Sequence, residues 1–257
     1  MHSVDKSSIF DGKAGFYCAS RPNYAEKLIE TIYTSYGFSE KSVIADVGSG
    51  TGIFAEQLLL RHSYVYCIEP NQEMRMICQQ KLHQYTRCAI LNGHAAETGL
   101  LPNFVDFVTA AQAFHWFDPG RFREECRRVL RLNGKVLLVW NMRDSQSPVM
   151  KAVHGVHQRY CPDFSKSEQR IAYNDSKILH FFQGRYEKLE FEHPLKYNRN
   201  QFINRNLSSS YSLRQGDIGF EGYKCELEGI FETYASDGIV SIPNRTVAYI
   251  GDVQNYT

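Results

Sequence analysis

"VIADVGSGTGIF", residues 43–54, is an apolar run interrupted by Asp46 and then by Gly48, Gly50 and Gly52 before apolar residues resume. A buried strand that turns directly into a helix has this pattern, and glycine at the turn lets a ligand approach the main chain where a Cβ would block it. In an open α/β sheet, ligands bind beyond the carboxyl ends of the strands, where a helix begins and its first N–H groups are unpaired. The spacing narrows the choice of ligand. The dinucleotide fingerprint G-x-G-x-x-G would need its third glycine at position 53, which is Ile53 here. A phosphate-binding P-loop is excluded too, because no Gly-Lys-Ser/Thr follows.

The surrounding chain repeats the alternation. Residues 42–47, 64–69, 87–93, 105–111 and 134–141 read as buried strands, and 52–62, 71–85 and 119–132 as helices, the last with Pro119 in its first turn and Asn133-Gly134 as its stop. Strands alternating with helices predict a doubly wound α/β fold whose mostly parallel sheet is covered on both faces. A further amphipathic helix is expected from just after Pro22 to Gly37. Residues 146–182 are polar and helix-like, 185–197 alternate as a strand, 220–238 read as a helix closed by Gly238, and 239–253 as a final strand or hairpin.

The second strand supplies an independent indication. It ends "VYCIEPN", which puts Glu69 at its carboxyl end, where a carboxylate can accept both hydroxyls of a ribose. Together with the glycine turn, this fits an adenosine-containing ligand that lacks a pyrophosphate.

At this point the sequence resembles the class I S-adenosylmethionine-dependent methyltransferases, in their type 11 small-molecule branch, which includes the trans-aconitate methyltransferases. "DVGSGTG" (46–52), "IEPN" (68–71), "NGHAAETGLLP" (92–102) and "VDFVTAAQAFHWFD" (105–118) resemble that family's successive motifs, and "GFYCASRPNY" (15–24) resembles its Y-x-x-x-R-P-x-Y entry. The resemblance covers residues 15 to about 141 in register. It implies a Rossmann-like fold with a seven-stranded sheet and a small helical lid, in a single domain. Residues 1–37 would form an N-terminal cap and first helix, and 38–145 the cofactor core. Residues 146–184 and 198–222 would be lid or substrate insertions, with 223–257 the closing helix and strands.

The resemblance also implies S-adenosyl-L-methionine as cofactor. Asp46, Gly48, Ser49, Gly50, Thr51 and Gly52 would take its methionine end, with Asp46 receiving a water or amino-group hydrogen bond. Glu69, Pro70 and Asn71 would take the ribose side, and His94 and Ala95 would lie along the adenine. The family more often has aspartate where His94 stands, which leaves a backbone carbonyl or Glu97 to satisfy the adenine amino group. Ala111 and Gln112 would face the methionine moiety. Tyr17, Arg21 and Tyr24 become cleft residues, with Arg21 suited to a carboxylate of either cofactor or substrate.

His115 and Trp116 follow where the activated methyl should point. His115 is the candidate general base, with a loop-packing role as the competing reading. Trp116 reads as a pocket wall. In the unmatched segments, Asn204, Ser208, Ser209, Ser210, Tyr211 and Arg214 are candidate donors to a polar acceptor, Tyr211 as a pocket residue. Methyl transfer needs mainly positioning, so a catalytic side chain is optional, and a carboxylic acid acceptor needs no base. The rival readings are a non-catalytic adenosylmethionine-binding scaffold and a nicotinamide-dependent oxidoreductase.

The chain's 257 residues carry a formal charge of +1, so no bulk field draws them to nucleic acid or an anionic membrane. No signal peptide or run of about 20 apolar residues is evident, so a cytoplasmic protein is expected, as monomer or homodimer. Seven scattered cysteines, never spaced C-x-x-C, read as reduced thiols. His154, His157 and Cys161 have metal-like spacing without a fourth ligand, so no metal is expected. The cationic run 121–131 reads as a solvated helix face because Glu124 and Glu125 interleave with its arginines.

Overall fold

The computed structural model describes residues 22–165, 175–209 and 211–254. Its seven-stranded sheet runs β3-β2-β1-β4-β5-β9-β6, with β1 at Val43–Val47, β2 at Tyr64–Ile68, β3 at Cys88–Leu91, β4 at Val105–Ala111, β5 at Leu130–Arg143, β6 at Tyr186–Glu192 and β9 at Asn244–Gly251. The first five strands pair in parallel, and β9 runs antiparallel to both β5 and β6. The doubly wound α/β expectation therefore stands.

Alternation along each strand feeds two cores, one on each face of the sheet. Ile44, Val65, Cys67, Leu137, Val139, Ala248 and Ile250 point to one face, where they meet α1 (Glu26–Ser35), α2 (Ile53–Leu59) and α3 (Gln72–Leu82). Ala45, Ile68, Val136, Leu138, Val247 and Tyr249 point to the other, under α4 (Pro119–Val129) and α6 (Asp175–Phe182). Each fully buried Leu, Ile or Phe in these layers contributes about 2 kcal/mol relative to exposure.

A third core lies apart from the sheet. It joins α5 (Pro148–Tyr160), α7 (Arg199–Leu207), α8 (Phe220–Tyr234) and a two-stranded antiparallel sheet of β7 (Leu195–Tyr197) and β8 (Val240–Ile242). The segment expected as one lid thus divides. Its first helix, α5, belongs to this cap, whereas α6 places Ile178, Phe181 and Phe182 in the main core.

Several element boundaries differ from expectation for local reasons. The first helix begins at Glu26 because the N–H groups of Tyr24 and Ala25 are already spent on Gln57 Oε1 and Thr246 Oγ1, both at 3.0 Å. Helix α4 stops at Val129, since Leu130 is extended, buried and paired with Val105 on β4. Helix α8 ends at Tyr234, because Asp237 and Gly238 form the left-handed tip of a turn bridged by Ser236 and Ile239. Residues 185–197 are two strands in two sheets. Among the described residues no helix is long and apolar enough to cross a membrane.

Candidate functional site

A cleft of about 930 Å³ opens beyond the carboxyl ends of β1, β2 and β4 and extends to the cap. The β1–α2 turn forms its floor. Gly48 and Ser49 donate their N–H groups to the Ile68 carbonyl (2.8 and 3.2 Å), and Gly52 N–H closes the turn on Ser49 O (2.9 Å). Gly50 N–H donates to Glu69 Oε2 at 2.9 Å, so the acid that ends β2 holds the turn in place.

The three glycines serve different needs. A Cβ on Gly48 would lie 2.7 Å from Ala113 Cβ, and one on Gly52 would strike Leu82 Cδ1 and Cys78 Sγ at 2.8 and 2.9 Å. Gly52, expected at the cofactor, instead lets α2 pack against α3 and is not part of the cleft wall. Gly50 alone has nothing within 4 Å of its missing Cβ, and it takes a left-handed φ of 55°. Its bare face opens on the cleft it lines.

Around that opening lie polar atoms without partners among the described residues. Asp46, 1% exposed, accepts from Thr109 Oγ1 at 2.7 Å through Oδ1, while Oδ2 has no partner. Ser49 Oγ and Thr51 Oγ1 are likewise buried and unpartnered. Burial pushes the Asp46 carboxyl up to about 7, against the lowering effect of the Thr109 bond and with a further rise from Glu69. Burial also raises Glu69, opposed by the Asn71 and Gly50 N–H groups and by Arg75. Each Glu69 oxygen accepts one of those backbone bonds at 2.9 Å, which leaves further lone pairs facing the cleft.

Pro70, Ala95, Ala111, Gln112, Tyr24 and Trp116 line the same cleft, as does the exposed His94. His94 and Glu97 exchange backbone hydrogen bonds that fold the loop after β3. Glu125 anchors the end of that loop. Its Oε1 accepts from Thr98 N and Oγ1 at 2.8 and 2.6 Å, and Arg128 grips both of its oxygens. Gln112 sits at φ 54°, with Nε2 donating to the Asn141 carbonyl.

Three other expected residues lie elsewhere. Asn71 caps α3, its side chain accepting from Met74 N, and is not in the cleft wall. His115 belongs to the 3₁₀ turn Phe114–Trp116 and lies beside Trp116, the two rings tilted by 45° with centroids 5.0 Å apart; Trp116 lines the cleft and His115 does not. Tyr211 packs in the cap against His157 and Phe164 and is also outside the wall. Tyr17, Arg21 and Ser210 lie outside the described residues. Sequence reasoning missed Asn141, Arg143, Leu195 and Arg205, which form the wall toward the cap.

His157, of the metal-like spacing, is a cap-core residue. Burial, with Arg143 and His154, pushes its imidazole down to about 3. Within the cationic run, Arg127 meets Glu124 and Arg128 meets Glu125, while Arg131, at the start of β5, meets Asp106.

The sheet order is that of the Rossmann-like fold of the methyltransferases among its structural neighbours. The methyltransferase domain model matches residues 45–138. An uncharacterized methyltransferase-like protein of Schizosaccharomyces pombe is 33% identical over 148 residues, covering 57% of each chain. An uncharacterized methyltransferase of Mycobacterium tuberculosis is 37% identical over 142 residues, covering 55% of this chain and 56% of that one. The chain thus spans a little over half the length of these curated relatives.

Among solved structures, a protein provisionally assigned as a type II methyltransferase from Anaeromyxobacter dehalogenans superposes with a TM-score of 0.65 at 22% identity, covering 92% of this chain and 99% of that one. Phosphoethanolamine N-methyltransferase 2 of Haemonchus contortus, in complex with phosphomonomethylethanolamine and S-adenosylhomocysteine, gives 0.57 at 13% identity, covering 98% of this chain and 60% of that one. Both likenesses are of fold.

Proposed function

We propose that the chain is an S-adenosylmethionine-dependent methyltransferase that moves a methyl group to a small-molecule acceptor. The observation that carries this reading is the set of unpartnered buried atoms, Asp46 Oδ2, Ser49 Oγ and Thr51 Oγ1, gathered around the open face of Gly50 with Glu69 on the adjoining strand. An amino-acid-bearing nucleoside fits such a floor. Its amino group finds Asp46, its ribose Glu69, and its base the His94-Ala95 loop, while Ala111 and Gln112 adjoin the methionine portion.

When bound, this cofactor supplies a sulfonium methyl, an electrophile that needs no activation by the protein. The chain's own residues bind, orient and exclude water. Trp116 and Tyr24 wall the cleft, and Tyr24 is fixed by reciprocal bonds between its backbone and the Gln57 amide (3.0 and 2.9 Å). A carboxylic acid suits this arrangement as acceptor because it needs no base to become nucleophilic.

Calorimetry with S-adenosylmethionine, S-adenosylhomocysteine and a reduced nicotinamide dinucleotide tests the cofactor. Binding of the first two and not the third is expected, and the reverse ends the reading. A tritiated methyl donor then tests transfer; binding without label in any metabolite pool would leave a scaffold. With an acceptor in hand, His115→Ala should keep most of its turnover. A loss of about 100-fold or more would instead make that imidazole the general base.

A further inference from the structure

Arg205 lies on α7, the cap helix that starts at a capping box of Asn198 and Gln201. Helical spacing puts Phe202, Arg205 and Asn206 on one buried face, so the guanidinium is carried into the protein instead of out to solvent. Only 6% of Arg205 is exposed, yet its Nε and Nη1 meet no hydrogen-bond acceptor among the described residues. An uncompensated buried cation is costly to keep, and the described residues offer these two atoms no acceptor, so a bound anion is a fitting partner.

Arg205 lines the cleft beside Asn141, Arg143 and Leu195. That wall holds a second guanidinium and no carboxylate; the cleft's described acids, Asp46, Glu69 and Asp118, come from the sheet and the start of α4. Asn141 Oδ1 already accepts from Thr246 Oγ1 at 2.7 Å, so it is committed to β9.

We propose that Arg205 is the oxyanion-binding residue of the acceptor site, taking a carboxylate or phosphate group of an anionic small molecule in its planar fork of donors; this rests on the methyl-transfer reading of the same cleft. Arg143 adds a second positive charge to that wall. The cap thus holds the acceptor while the β1–α2 turn holds the nucleoside.

Cell-extract metabolites, split by anion exchange into anionic and non-anionic pools, are incubated with the full chain and tritiated S-adenosylmethionine. Label in the anionic pool is expected. Arg205→Met should reduce it by about tenfold or more and Arg205→Lys by less, with S-adenosylhomocysteine affinity unchanged in both. Because Nε and Nη1 have no partner among the described residues, Arg205→Met should melt no lower than wild type. Prior phosphatase treatment distinguishes the sources: lost label identifies a phosphate, retained label a carboxylate. Label confined to the non-anionic pool, or undiminished in Arg205→Met, overturns the proposal. If neither pool is labelled, the methyl-transfer reading fails, and calorimetry with succinate and inorganic phosphate judges the anion site alone. Heat that Arg205→Met abolishes upholds it, and no heat from either probe overturns it.

Discussion

Asp46 carries the sharpest consequence at the scale of single residues. Its carboxyl titrates at about 7 in the fold against an ordinary 3.8, so between those values the folded state binds the proton more tightly than the unfolded one. Its stabilising contribution is fully present below the ordinary value and is lost as pH rises through about 7. Asp46→Asn fixes the neutral state, so thermal melts of the unliganded protein should fall less between about pH 5 and about pH 8 than those of wild type. Parallel melting curves would show that Asp46 does not titrate in this window. Gly50 gives a second test. Gly50→Val forces a β-branched residue into left-handed φ, a strain of about 1–2 kcal/mol, but meets no protein atom. The variant should fold with a modestly lowered Tm and lose S-adenosylhomocysteine affinity in calorimetry, and an unchanged Kd would remove Gly50 from the ligand's path. The turn was legible in the sequence because strand, glycine and acid are all local signals. Gly52 and Asn71 show that a motif fixes position along the chain and not direction in space: one faces Cys78, and the other caps its own helix.

The secondary-structure elements add a dependence of the cleft on α4. Glu125, 7% exposed, ties the loop after β3 to that helix through Thr98 and Arg128. Burial alone would raise its carboxyl, but the Arg128 and Thr98 bonds outweigh it and hold it below the ordinary range. That contribution is present at neutral pH and lost as pH falls through the lowered value. Glu125→Ala should cost about 2 kcal/mol in urea titrations at neutral pH, from the unmet Thr98 donors. It should also weaken S-adenosylhomocysteine binding by loosening the segment that carries His94 and Ala95. A stability loss without an affinity loss would show that this loop is irrelevant to the ligand. Strands and helices were largely predictable from periodicity, with boundaries shifting where side chains from elsewhere took the backbone bonds, as Gln57 and Thr246 do before α1.

Across the whole molecule, the cap has a core of its own, so it can loosen while the sheet holds. Phe202→Ala, at a fully buried cap position, should cost about 3–5 kcal/mol of local stability. Hydrogen exchange should then speed up in α5, α7 and α8 while β1 and β4 keep their protection; uniform acceleration would mean that cap and sheet unfold as one. This architecture was the least legible part of the chain. The paired strands β7 and β8 are three residues each and meet across more than forty positions of sequence. Arg205 sits in "NRNQFINRNL", which looks solvated, and only its phase relative to Phe202 hints that it turns inward.

Strand β9 is made last among the described strands, yet it sits between β5 and β6. A nascent chain that has reached β6 has no neighbour for that strand in the sheet, and β5 keeps an open edge, until the segment from Asn244 emerges. During synthesis the half-made protein therefore shows a raw, apolar border to anything nearby, and chaperone dependence should be highest in that interval.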